Sequence, residues 1–185
     1  MSKTSKSSTD KLFKAIWNRS LKGVQSAVDE GADINAMHTD WGTPLFICSQ
    51  FNHSRIARFL LSCPGIDILK GELSIYPQGG AGCYYPLTRE EHNTSPLYAA
   101  IIADNTSIAR MILAHPDKDK YLGDKENWRS IIKGAFNHNT SPVTLSVLLN
   151  ASKSYPELFK LTVAEMKRNA DFWGRDISRI AELSK

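Results

Sequence analysis

Three stretches of this chain repeat one pattern: LFKAIWNRSLKGVQSAVDEGADINA from Leu12, TPLFICSQFNHSRIARFLLSCPGID from Thr43 and SPLYAAIIADNTSIARMILAHPDKD from Ser95. The second and third register residue for residue, Pro44 with Pro96, Leu45 with Leu97, Arg58 with Arg110, Pro64 with Pro116 and Asp67 with Asp119. A chain of such units buries its core by stacking neighbours, so it presents an extended surface in place of a single pocket. That points to binding.

Leu12 to Leu45 is 33 residues, the length of a loop-helix-turn-helix unit, and Leu45 to Leu97 is 52, which is 33 plus an insertion of 19. The register continues at SIIKGAFNHNTSPVTLSVLLN, where Ile132 follows Leu97 by 35 residues and Ala135 falls where Ala15, Cys48 and Ala100 fall. At least four units are therefore expected.

Each unit reads as two helices. Thr43-Pro44 and Ser95-Pro96 place a hydroxyl cap before a proline at the first helical position, where the missing N–H costs nothing, and Ser141-Pro142 starts VTLSVLL in the same way. Ile56, Phe59 and Leu60 recur at the spacing of a buried helical stripe, as do Ile108, Met111 and Ile112. Gly31 and Pro64-Gly65 supply helix stops, with Pro116 in the equivalent place, and each unit then ends in a polar turn that projects as a finger. Arg55, Arg58, Arg110 and Asp104 read as charge that keeps the outer helices in solvent.

Over residues 10–150 the chain resembles the ankyrin repeat family, on the strength of EGADINA (Glu30 to Ala36), GTPL (Gly42 to Leu45), TSPLYAA (Thr94 to Ala100) and the IAR-x-x-L second helices. The resemblance implies an all-α ankyrin-repeat solenoid of about four helix-turn-helix repeats. It also implies that a groove faced by the first helices and the fingers receives a protein partner. The family usually has His directly after TPL, whereas the matching residues here are Phe13, Phe46, Tyr98 and Lys133. Aromatic packing is expected in place of the usual polar network between repeats.

The expected boundaries are a disordered basic tail over 1–9, a repeat domain over 10–185, an inserted hairpin-like loop over about 68–93 and a degenerate capping repeat over about 151–185. Ser154 and Glu157 make a capping-box pattern in that last segment, and Phe172, Ile177, Ile180 and Leu183 can form an apolar face. Within the insertion, the arms LSIYP and CYYPLT flank Gln78-Gly79-Gly80-Ala81-Gly82, which favours a hairpin or extended finger.

Composition narrows the function. The chain has 185 residues, 42% of them hydrophobic and 23% charged, which is ordinary for a folded domain. The longest apolar run, Leu97 to Ala103, is far short of the roughly 20 residues that span a bilayer, and MSKTSKSSTDK has no signal-peptide centre. A cytoplasmic or nuclear monomer with reduced thiols is expected. The net charge of +4 is concentrated in residues 1–22, where six Lys or Arg face Asp10 alone. An electrostatic contact with nucleic acid or an acidic membrane through that basic N-terminus is the alternative reading.

The resemblance also implies that the two positions after the small-residue pair face the groove, here Trp17-Asn18, Gln50-Phe51, Ile102-Ala103 and Asn137-His138, so Trp17, Phe51 and Ile102 form a candidate apolar stripe. As surface residues they should tolerate polar replacement within about 0.5 kcal/mol. His38 and Trp41 on the first finger, with Tyr76, Tyr84, Tyr85 and Arg89 in the insertion, complete the candidate partner contacts. A cysteine-dependent enzyme using Cys83 and His92 is the weakest alternative, because no third group in a known signature accompanies them. His53 and His138 are expected to hydrogen-bond backbone in their turns. No catalytic set, cofactor, metal site or small-molecule substrate is expected, since there is no His-x-x-x-His, Cys-x-x-Cys or phosphate-binding glycine motif.

Overall fold

A computed structural model describes residues 3–71 and 95–174, together with 176 and 178. Its elements are α1 (Lys3–Trp17), α2 (Leu21–Asp29), α3 (Pro44–Gln50), α4 (Ser54–Ser62), α5 (Pro96–Ile102), α6 (Thr106–Leu113), α7 (Asp119–Leu122), α8 (Lys125–Asn137), α9 (Pro142–Ser152) and α10 (Pro156–Trp173). The inner helices α1, α3, α5 and α8 pack side by side, and the outer helices α2, α4, α6 and α9 form a second layer behind them. Four units are present, as the spacing predicts.

The reversal inside each unit has one construction. Arg19, Asn52, Asp104 and Asn139 are left-handed, with φ of 52°, 57°, 56° and 53°, and they recur at intervals of 33, 52 and 35 residues. The next N–H in each case donates to the carbonyl of the small residue of the inner helix: Ser20 to Ala15 at 2.9 Å, His53 to Cys48 at 3.0 Å, Asn105 to Ala100 at 2.8 Å and Thr140 to Ala135 at 2.9 Å. This closes the end of each inner helix and sends the chain back antiparallel. The fourth unit, which lacks the TPL sequence, has the same turn.

Helix starts follow the sequence rules. The Thr43 and Ser95 hydroxyls accept from the N–H groups of Phe46 at 3.3 Å and Tyr98 at 3.2 Å, each ahead of a first-turn proline, and Ser141 caps α9 in the same manner. The Ser154–Glu157 capping box does not form. Pro156 takes the first helical position, which makes Tyr155 the cap residue, and no side chain caps it.

Two boundaries differ from expectation. Helix α1 begins inside the segment expected as a tail, because the Ser8 hydroxyl donates to the Glu30 carbonyl at 3.1 Å and that of Thr9 accepts from the Asp33 N–H at 3.1 Å. Residues 68–71, placed at the start of the insertion, belong to the array: Ile68 is fully buried, and Thr43 donates to the carbonyls of Gly71 and Lys70 at 3.0 and 2.8 Å. The hairpin expected of the insertion lies outside the described residues. Across its two ends stands Tyr121, whose hydroxyl donates to the Ile68 carbonyl and accepts from the Leu97 N–H at 3.4 Å. Burial pushes this phenol well above its ordinary pKa, so it stays a neutral donor.

Neighbouring units are tied by polar groups and by rings. The Asn105 amide donates to the Ser49 carbonyl at 2.7 Å, and the Thr140 hydroxyl to that of Ile101 at 2.9 Å. Asp104 does more than solvate its turn, since its carboxylate accepts from the Ser141 hydroxyl at 2.8 Å. Helix α10 packs on both α8 and α9, where the buried Trp128 indole donates to Thr162 at 2.8 Å, and it serves as the expected cap.

Of the aromatic residues after each leucine, Tyr98 packs between units. Phe46 and Tyr98 are buried, and the Tyr98 ring lies against Gly134 of α8: a Cβ there would come within 2.8 Å of its Cζ and 2.9 Å of its hydroxyl oxygen. Gly134→Ala should therefore destabilise the chain by about 1–3 kcal/mol through overpacking, even though alanine is favoured over glycine by about 1 kcal/mol inside a helix. Denaturant melts of this variant and of Gly134→Ala with Tyr98→Leu check the assignment. The second variant should recover part of the loss.

Candidate functional site

The finger after α2 closes on itself through paired backbone bonds, His38 N–H to the Gly42 carbonyl at 3.0 Å and Gly42 N–H to that of His38 at 3.4 Å, with Gly42 at a φ of 81°. Only a residue without Cβ takes that φ at no cost, so the tight turn is set by Gly42. The His38 Nδ1 accepts the Asp40 N–H at 3.2 Å, which fixes the tip. The turn presents Trp41 to the inner helices.

There it meets two other rings. Trp17, the last residue of α1, has its ring centroid 4.9 Å from that of Trp41 and 5.4 Å from that of Phe51, at interplanar angles of 72° and 61°. Trp41 and Phe51 are 6.4 Å apart at 64°. Edge-to-face pairs of this kind contribute about 0.5–1.5 kcal/mol each beyond area burial. Trp17 keeps 38% of its surface exposed, while Trp41 and Phe51 are half-buried against the core.

Of the residues singled out from sequence, Trp17, Phe51 and Trp41 come together in this patch, and His38 stands beside it with its ring 5.0 Å from Phe13. Ile102 holds the matching place on α5 but is half-buried against the core. Free polar replacement is accordingly not expected at Trp17, Phe51 or Ile102, because all three already have packing partners. Tyr76, Tyr84, Tyr85 and Arg89, and with them Cys83 and His92, lie outside the described residues. Sequence reasoning missed the three-ring cluster as a unit, although Trp41 was visible as a large apolar residue on a finger tip.

His53 sits under the patch, its ring 6.4 Å from Phe51. It holds the place that Asn105 and Thr140 hold in later units, yet its buried Nδ1 has no partner, so the expected ring-to-backbone bond is missing there. Burial, and secondarily the positive charge of Arg19, lower its pKa below 6.5. The thiol of Cys48 is pushed far above its ordinary range by burial in α3, which makes it a small apolar filler and no nucleophile. Among the described residues, no three His, Cys, Asp or Glu gather as a metal would require, and no helix is long and apolar enough to cross a membrane.

A family model described as ankyrin repeats, in three copies, matches residues 12–124, well over half of the chain. No curated protein sequence matches it.

The His53 environment fixes a pH dependence. Its folded pKa lies below the unfolded value of 6.5, so the contribution of the neutral ring is fully present above about pH 6.5 and is lost as the pH falls below it. Asparagine at this place would reach the Ile16 and Trp17 carbonyls as Asn105 reaches those of Ser49 and Gln50. His53→Asn should raise stability by about 1 kcal/mol and flatten the profile below about pH 6.5. Thermal melts across that range check both effects.

Proposed function

The chain belongs to the ankyrin-repeat family, and from that premise we propose that it is a non-enzymatic binding module whose partner docks on the Trp17–Trp41–Phe51 patch. Ankyrin repeats are in general protein–protein interaction modules. The observation that carries the reading is Trp17: a large aromatic side chain, 38% exposed, held by two ring contacts at the seam between the first two units and their finger. Exposed aromatics locked by their neighbours lose little side-chain entropy on binding, which makes them effective anchors. His38 and Ile102 flank the patch. The segment between Gly71 and Ser95, with Tyr76, Tyr84, Tyr85 and Arg89, is a second contact element in this proposal.

The test compares proteins retained from a cell extract by the intact chain, by Trp17→Ser and by Ile56→Val. The Ile56 change lies on outer helix α4 and costs about 0.5–1.5 kcal/mol, which controls for lost stability. Trp17→Ser should cost about 1–3 kcal/mol through its two ring pairs and abolish retention, while Ile56→Val retains the partner. Undiminished retention by Trp17→Ser removes the patch as the seat.

A further inference from the structure

The charges that neighbour the three rings along the chain differ in sign from one element to the next. Lys14 stands one helical turn before Trp17 on α1, Arg19 occupies the left-handed turn that follows it, and Lys22 lies in the first turn of α2. All three are exposed. Lys11, by contrast, is already paired with Glu30 at 2.6 Å. Arg19 follows Trp17 by two residues, and its positive charge is the secondary cause of the lowered His53 pKa, the His53 ring being 6.4 Å from that of Phe51. The finger that carries Trp41 bears an acidic group instead, Asp40, exposed and 3.9 Å from the His38 Nδ1.

We infer that the partner segment carries an apolar anchor that seats on Trp17, with Asp or Glu on one flank only, the flank that lies over the α1–α2 turn. This rests on the binding reading above and names the chemistry of the partner. Cations at the rim of an apolar patch steer an acidic ligand and fix its direction, whereas Asp40 repels a carboxylate placed over the finger. The same cations could attract a single-stranded nucleic acid, but stacking of bases needs free ring faces. Here the rings meet edge to face, and Trp41 and Phe51 are half-buried. An acidic peptide fits the patch better.

A displayed library of short random peptides selected on the full chain tests this. Expected is enrichment of sequences with an aromatic or aliphatic anchor next to Asp or Glu on one side, and loss of binding by a synthetic peptide of that sequence with Trp17→Ser. Arg19→Asn combined with Lys22→Gln should weaken the same peptide by about three- to thirtyfold, with a steeper loss at high salt for the unaltered chain. Asparagine already serves the left-handed position in the second and fourth units, so the fold is kept. Selected peptides that depend on Trp17 but show no acidic preference overturn this inference and leave the binding module standing. Absence of any Trp17-dependent peptide overturns both. Tighter binding of a single-stranded oligonucleotide than of the selected peptide at equal salt overturns the acidic-segment assignment in favour of nucleic acid.

Discussion

The left-handed residue between the two helices of each unit is the constraint on which the array depends. It brings the next N–H back onto the carbonyl of Ala15, Cys48, Ala100 or Ala135, and the outer helix can start only from there. Those four residues are small and buried, and in the first unit Ala15 lies so close to Gly23 of α2 that a Cβ there would come within 3.0 Å of the Ala15 Cβ. Asn52, Asp104 and Asn139 accept the conformation readily, since short polar side chains tolerate it. Arg19 accepts it at greater cost, and its long side chain leaves the turn into solvent.

Given a constant reversal, the units must still be held in register, and directional bonds do this at two levels. At the turns, Asn105 and Thr140 reach back to carbonyls of the preceding inner helix. At the fingers, Asn35 donates to the Gly65 carbonyl at 2.8 Å while its side-chain oxygen accepts the Asp67 N–H at 2.8 Å, and Lys70 donates to the Asn35 carbonyl at 2.8 Å. Tyr121 performs the same service across the gap left by the insertion. The Tyr98 ring fills space between the third and fourth units, at a place where the family usually has histidine.

The period was legible because it depends on residue types at fixed offsets: large aliphatic residues (Leu12, Leu45, Leu97, Ile132) and small residues repeat at the same intervals as the left-handed turns, and caps followed by proline start the inner helices of the second and third units. What the sequence concealed are contacts set by the angle between elements. Trp41 reaches Trp17 only because the His38–Gly42 pairing folds the finger over α1, and Gly134 is needed only because Tyr98 of another unit crosses α8. The capping box at Ser154 was a local pattern defeated by a stronger local rule, the preference of proline for the first helical position. The candidate site was legible as residues but not as a surface, since its seam joins positions 24 and 34 apart in sequence.

The patch coincides with the junction whose turn-level side-chain tie is missing. At the seam between the first and second units, the place of Asn105 and Thr140 is taken by His53, whose Nδ1 is unpartnered, so that seam relies on its rings and on the finger bonds. Trp17 thus serves cohesion and exposure at once: its edges and faces hold Trp41 and Phe51, and the remainder of its surface stays open. A ligand that binds the folded array through Trp17 must stabilise that seam, by an amount that grows with the logarithm of ligand concentration over Kd. Binding of such a ligand and the stability of the first junction would then be one coupled quantity, because both draw on the same ring contacts of Trp17.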